Sequence, residues 1–253
     1  MTLLGAGLAL LVGFVLGLLG GGGSVLTVPI LIYALHVPVK PAIAASLCVV
    51  GLVAFIGFIS HWRQGTVAPR VAFVFGPSAV IAAYAGARIA KHVPAHVQIV
   101  LFALFGLVGS VMMFRGTFRK AQPVAQSEYH FHADSRTVIL LVLEGAGVGL
   151  LTGLIGVGGG FLIVPALVLV AKLPMRLAVG TSLLVITMNA LSGFLGYAGT
   201  VPVDWHLVTW FTAVAAAGSI IGTLLSKRLE QRTLKQVFGV LLIGVSLYVL
   251  YRR

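Results

Sequence analysis

Residues 17–29 read GLLGGGGSVLTVP, and residues 153–165 read GLIGVGGGFLIVP. At an offset of 136, eight of the thirteen positions are identical: Gly17, Leu18, Gly20, Gly22, Gly23, Leu26, Val28 and Pro29 all recur. The register carries on, pairing Pro38 with Pro174, Ser46 with Ser182, Gly57 with Gly193 and Phe58 with Phe194. Farther along it pairs Gly86 with Gly222, Lys91 with Lys227 and Phe102 with Phe238. A self-match at one fixed offset is the mark of a duplicated unit. Residues 1–115 and 137–253 therefore read as two copies of one unit, joined by the polar linker 116–136.

The composition says what surrounds these copies. The chain of 253 residues is 59% hydrophobic and only 9% charged, with a mean hydropathy of +1.11. A soluble domain carries about 25% charged residues, because its surface must hold water. This chain has too little polar surface to cover a globule, so its solvent is largely lipid. Apolar stretches run over 2–19, 40–60, 71–90, 97–114, 137–155, 177–198, 206–226 and 234–251. Each is close to the ~20 residues a helix needs to cross about 30 Å of hydrocarbon. Two shorter pieces, 24–36 and 160–171, give only about 20 Å of helix at 1.5 Å per residue. The expected fold is an all-α polytopic integral membrane protein of two helical repeats, with eight full spans and two short interrupted helices.

Charge placement bears on both function and topology. The formal charge of +12 invites a nucleic-acid reading, but the basic residues sit in short loops between spans, as topology-setting charges do. With five crossings per unit, loops 61–70, 115–136, 172–176 and 226–235 fall on one side and hold 12 of the 17 Lys and Arg. Four crossings per unit would divide the charges about evenly. The positive-inside rule thus favours inverted repeats, with the linker cytoplasmic and both termini outside. Transporters built this way hold substrate near the midplane, where the repeats meet. The first apolar run has no basic n-region and no A-x-A site, so it is expected to be retained as a span. Cys48 is the only cysteine, so no disulfide is expected within one chain.

The glycine clusters are the leading candidates for chemistry: Gly20, Gly21, Gly22 and Gly23 with Ser24, and Gly156, Gly158, Gly159 and Gly160. Each glycine in a helix interior costs about 1 kcal/mol relative to alanine, so the clusters are expected to break helices inside the membrane. Such backbone is tolerated there only when buried in protein or lining a wet cavity. The helix that follows begins with N–H groups and the positive end of its dipole, a cradle for an anion. Pro29 and Pro165 are expected to keep these helices bent or short. The competing reading is that the glycines only let helices approach closely. A dinucleotide fold fits poorly, since no acid follows at about 20 positions, and a Gly-Lys-Ser/Thr phosphate loop is absent.

Hydroxyls recur at the start of the next span: Ser46 in Ala45-Ser46-Leu47, and Thr181 and Ser182 in Gly180-Thr181-Ser182-Leu183. They either donate to substrate oxygens or bond between helices. Asn189 lies mid-span with Ser192 on the same face, and its counterpart in the first half is Val53. An amide in hydrocarbon needs a partner, either substrate or a neighbouring helix. Glu144, the one acid inside an apolar stretch, is a candidate proton-coupling carboxylate or a structural acid. Arg88 near a span end reads as snorkelling. The histidines, including His130 and His132 in the linker, have no metal-ligand spacing. No catalytic set is present, so the reading is not an enzyme, with no cofactor and no metal. The partners expected are a small anionic substrate and the lipid bilayer, without nucleic acid; a homo-oligomer is compatible with the pattern.

At the doubled glycine motif the chain resembles the sulfite exporter TauE/SafE family of membrane transporters. The resemblance rests on GLLGGGGSVLTVPIL at 17–31, GLLTGLIGVGGGFLIVPAL at 149–167, AASL at 44–47 and VGTSLL at 179–184. It covers both halves. It implies secondary transport of sulfur-containing anions such as sulfite or organosulfonates, commonly as export through the bacterial inner (plasma) membrane. One departure is Ala45, which stands where the second half has Thr181. The other function classes are a transporter or channel for another small anion, and a membrane assembly protein that transports nothing.

Overall fold

The computed structural model describes residues 3–118, 134–156, 158–226 and 229–251. Most of the linker, with His130 and His132, lies outside the described residues. The remainder is helical. The first half forms α1 (Leu3–Leu19), α2 (Gly22–Pro29), α3 (Val39–Arg63), α4 (Pro69–Ala90) and α5 (Ala95–Phe118). The second forms α6 (Ser135–Ile155), α7 (Gly160–Leu169), α8 (Met175–Tyr197), α9 (Trp205–Ser226) and α10 (Gln231–Tyr251). Five of these, α3, α4, α6, α8 and α9, are long and apolar enough to cross a membrane, while α1, α5 and α10 contribute shorter apolar stretches.

Proline and glycine set the helix ends. Pro38 and Pro174 are the N-caps of α3 and α8, both with extended backbone. Just before them, His36 and Lys172 take left-handed φ values of 54° and 53°, so the same turn leads into both helices. Within the short helices the two prolines act differently. Pro29 ends α2, and the chain widens into a π-helical turn over Ile30–Ala34, where Leu35 N–H donates to the Ile30 carbonyl at 3.1 Å. Proline lacks the N–H that would continue an α register, and a π turn absorbs the mismatch. Pro165 stays inside α7, which runs on to Leu169. Both pieces then close alike, Val37 N–H on the Leu31 carbonyl and Leu173 N–H on the Leu167 carbonyl.

Small residues determine which helices touch. A Cβ added at Gly13 or Gly17 of α1 would collide with the carbonyls of Ala215 or Ser219 of α9. One added at Gly149 or Gly153 of α6 would collide with those of Ala79 or Ala83 of α4. Such backbone contact replaces the missing hydrophobic drive between helices in lipid. In each pair the contacts advance together, so α1 runs beside α9 in the same direction, and α6 beside α4. α3 packs on α8 and α5 on α10. α3 and α8 form the centre, with 72% of their apolar window buried, against 39% for α4, α6 and α9. Large apolar side chains such as Phe73, Ile81, Leu195 and Val240 stand exposed on the perimeter. In water such a surface would be an aggregation hazard; in a bilayer it is the required face.

Candidate functional site

The site is built where α1 and α6 stop. Gly20 follows α1 with a φ of 73°, and Gly156 follows α6 with a φ of 79°, a conformation open to glycine and costly for residues with a Cβ. Gly20 N–H still donates to the Leu16 carbonyl, and Gly156 N–H to the Thr152 carbonyl, both at 2.8 Å. The helical ladder is therefore closed up to the break. The chain then reverses. α2 begins at Gly22 behind its N-cap Gly21, and α7 at Gly160 behind its N-cap Gly159; neither has a side-chain cap.

Not all the glycines take part in the interruption. Gly22 and Gly23 are already helical, and a Cβ at Gly23 would strike Val12 and Leu16 of α1. Their smallness lets α2 fold back along α1, which is the packing role, whereas Gly20 and Gly21 form the break itself. In the second half the break takes in Gly156, Gly158 and Gly159, with Gly158 and Gly159 also left-handed at 64° and 69°.

The two breaks meet, and each is seated against the other half. A Cβ at Gly20 would lie 2.6 Å from Ser182 Oγ and 3.0 Å from the Val179 carbonyl of α8. A Cβ at Gly156 would lie 2.9 Å from Ile43 Cβ of α3, and the Gly156 carbonyl accepts a hydrogen bond from Ser46 Oγ. Gly21 abuts Gly160 directly, backbone on backbone. Ser24 Oγ donates to the Gly21 carbonyl at 2.7 Å, and Val50 and Ile186 cover Gly158 from the two central helices. Ser24, Ser46, Thr181, Ser182 and Asn189 are all fully buried.

The polar groups differ in what they already hold. Ser46 and Ser182 each donate to the carbonyl three residues back, Ile43 and Val179, at 2.8 Å. Thr181 Oγ1 accepts the Ala68 N–H at 2.9 Å, so its oxygen anchors the turn that starts α4. Ser192 donates to the Val80 carbonyl at 2.8 Å, away from the break. Asn189 lies one turn beyond Ile186, and neither of its amide atoms has a partner among the described residues. A buried amide left unpaired costs about 1–3 kcal/mol. Glu144 stands apart: it is half-buried and twelve residues ahead of Gly156, about 18 Å along the helix at 1.5 Å per residue. Its Oε2 also has no partner. Arg88 is exposed, its guanidinium 6.0 Å from the Tyr84 ring centre, as a snorkelling residue would be. Among the described residues no cluster of His, Cys, Asp or Glu could hold a metal.

Beside the breaks lies a cleft of about 260 Å³. Leu18 and Val179 line it next to the first break, with His61, Gln64, Thr66, Arg176, Ser226 and Leu234 around them. His61 is 2% exposed, with Nδ1 2.8 Å from Thr66 Oγ1 and Nε2 3.4 Å from the Gly17 carbonyl oxygen. Arg176 donates to the Leu229 carbonyl at 3.2 Å. These residues come from α1, α3, the turn after it, α8, α9 and α10. Sequence reading assigned Arg176 to topology and passed over His61. The available signal was that His61 and Tyr197, both ring-bearing hydrogen-bonders, occupy matching positions at the offset of 136.

At the other end, Tyr197 is 2% exposed and Gln98 1%. Gln98 Nε2 donates to the Leu154 carbonyl at 2.8 Å and to the Tyr197 hydroxyl oxygen at 3.4 Å. The adjoining crevice, lined by Ile43, Gln98 and Ile155, holds only about 10 Å³.

A lipid-facing bundle with paired helix breaks at its centre and a polar cleft leading toward them defines a multi-pass membrane protein of the transporter class. The family described as Sulfite exporter TauE/SafE matches residues 5–249, and the chain belongs to it. It is 36% identical over 250 residues to a "Probable membrane transporter protein" of Xylella fastidiosa (strain Temecula1), covering 96% of this chain and 92% of that one. It is 26% identical over 225 residues to "Probable membrane transporter protein YdhB" of Bacillus subtilis, covering 89% and 90%. It is 31% identical over 116 residues to "Probable membrane transporter protein MJ0441" of Methanocaldococcus jannaschii, covering 44% and 43%. No solved structure matches the chain significantly.

Proposed function

We propose that the protein is a secondary transporter that carries a small sulfur-containing anion, of the sulfite or organosulfonate type, out through the cell (plasma) membrane. The observation that carries this reading is the meeting of the two interrupted helices, with Gly21 against Gly160. Helix breaks at lipid depth are kept only where protein or a wet path surrounds them. Two such breaks seated on the central pair of helices fit a substrate position better than packing alone.

The architecture proposed with it is a pair of inverted repeats, 1–115 and 137–253, flanking the linker 116–136. Three things support it. Packings correspond across the halves: α1 on α9 answers α6 on α4, while α3 on α8 and α5 on α10 answer themselves. Leu18, at the end of α1, lines the cleft, whereas Leu154, at the end of α6, bonds Gln98 at the opposite end. The cleft also lies among the loops that hold 12 of the 17 Lys and Arg, the side assigned to the cytoplasm. A path open to the cytoplasm and shut outside suits loading for export.

The test is efflux of radiolabelled sulfite from proteoliposomes, with and without a proton gradient. Saturable efflux that Gly156→Val abolishes is expected, since that residue needs a left-handed φ against Ile43. Gly147→Val, where nothing lies within 4 Å of an added Cβ, should leave efflux near wild type. No flux of any sulfur oxyanion or organosulfonate under any gradient removes the substrate class. Flux of a different small anion keeps transport and corrects the cargo.

A further inference from the structure

We propose that the cleft between His61, Arg176 and Ser226 is itself a binding site for the anion, occupied before the helix breaks, with the Arg176 guanidinium as its charged contact. This rests on the transport reading above and names a second position on the path. Arg176 is half-buried in the first turn of α8, where the helix dipole adds partial positive charge. Among the described residues that line the cleft none is acidic, and Arg176 is the one that carries a fixed positive charge. A guanidinium presents several N–H groups in one plane, which matches the oxygens of a sulfite or sulfonate better than an ammonium does. The bond to the Leu229 carbonyl holds it in place.

Ser226, Thr66 and Gln64 line the same space; the Ser226 and Thr66 hydroxyls donate to the Thr223 and His61 carbonyls at 2.8 and 3.0 Å, so Arg176 is left as the main donor to an anion. The cleft stops where transport must continue. Val179 is the residue against which Gly20 is seated, and His61 Nε2 faces the carbonyl of Gly17, three residues before that break. An anion on Arg176 thus shares the cleft with Val179, the residue on which the interrupted backbone at Gly20 rests.

The matching position in the first half does not provide the same site. There Lys40 replaces Arg176, and its Nζ donates to the Lys91 carbonyl at 2.9 Å. Tyr197 and Gln98 replace His61 and Leu234 and fill the space with their own hydrogen bond. The site therefore belongs to one face of the molecule.

Two measurements test it. The first uses full-length Cys48→Ala/Gln64→Cys protein in detergent, where both faces are reachable. It compares two methanethiosulfonates of similar size, one bearing a sulfonate and the other a trimethylammonium group. With each rate divided by that reagent's rate on free cysteine, the sulfonate reagent should be favoured about tenfold, the scale of one charge-assisted contact; Arg176→Gln should erase the preference, and added ethanesulfonate, which unlike sulfite does not attack the reagent, should slow the anionic reagent. Equal normalised rates for the two reagents, or a normalised preference that survives Arg176→Gln, overturn the site. The second is sulfite efflux, in which Arg176→Gln should raise KM about tenfold with the maximal rate largely kept, and Arg176→Lys should fall between. An unchanged KM in a transporting protein overturns the site and leaves transport standing. If wild-type protein moves no sulfite, the substrate assignment falls, while the reagent pair still decides whether this cleft selects anions.

Discussion

The two ends of the molecule are made from matching positions and have opposite character. At one, His61 and Leu234 border a cleft of about 260 Å³. At the other, Tyr197 and Gln98 stand at the same places and join through a hydrogen bond beside a crevice of about 10 Å³. Parts of the backbone correspond, down to the left-handed His36 and Lys172, although Pro29 opens a π turn where Pro165 stays within α7. What differs at the two ends is the side chains that border the space, Tyr197 and Gln98 at one and His61 and Leu234 at the other. A carrier with one central site needs this inequality at any instant, because a path open at both ends would be a leak. It also needs the inequality to reverse, which requires both gates to lie close in energy.

The strongest way to break the comparison is to remove the plug. Tyr197→Ala deletes a buried ring and leaves Gln98 without its hydroxyl partner. Truncating a buried aromatic costs about 3–5 kcal/mol, so a clear drop in melting temperature is expected in detergent. With Cys48→Ala as background, Ile43→Cys in the closed crevice, the counterpart of Val179→Cys in the cleft, should turn from slow to fast labelling once the ring is gone. Proteoliposomes with this variant should leak sulfite without saturation. If labelling at Ile43→Cys is already as fast as at Val179→Cys with Tyr197 in place, the contrast between the ends fails.

How far all this was legible in the chain depends on the range of the interactions. The helices were legible because lipid imposes a length and a composition on each segment independently. The apolar run 40–60 became Val39–Arg63, and 177–198 became Met175–Tyr197. The breaks were legible because clustered glycines make a continuous helix costly, although Gly22 and Gly23 are themselves helical. What the glycines do individually was not: Gly23 packs on α1 while Gly20 turns the chain, and only the fold-back of α2 separates the two roles. Thr181 looked like half of a hydroxyl pair, yet its oxygen anchors Ala68 across the bundle. The cleft was the least legible, since His61, Arg176, Ser226 and Leu234 are scattered over four helices. In sequence, a basic residue at a helix start looks the same whether it sets topology or meets a solute.

A second variant makes the central helices alike. Asn189→Val gives α8 the residue that α3 carries at Val53. It removes an amide whose two polar atoms are buried without partners, a burden of about 1–3 kcal/mol. The protein should melt higher by several degrees and carry sulfite more slowly. The two effects together would mark an amide retained for substrate at the expense of stability. A higher melting temperature with unchanged flux would assign Asn189 no part in transport.

The smallest expected effect separates the two breaks. Ser46 bonds the Gly156 carbonyl of the opposite half as well as Ile43 in its own helix. Ser182 lies against Gly20, but its hydroxyl donates to Val179 within its own helix. Hydrogen bonds between membrane helices average about 0.6 kcal/mol, and a bond back to the preceding turn adds little, because the helix carbonyl already has its ladder partner. Ser46→Ala should therefore destabilise by about 0.6 kcal/mol or somewhat more, and Ser182→Ala by less, in parallel melts. The inequality has a mechanical meaning. Ser46 ties the second break itself to α3, next to the closed end, whereas the end of α1 is held three residues before its break, where Thr223 Oγ1 and His61 Nε2 each lie 3.4 Å from the Gly17 carbonyl oxygen. Equal losses from both substitutions would mean that the two breaks are held alike, and that the asymmetry of the molecule is confined to its ends.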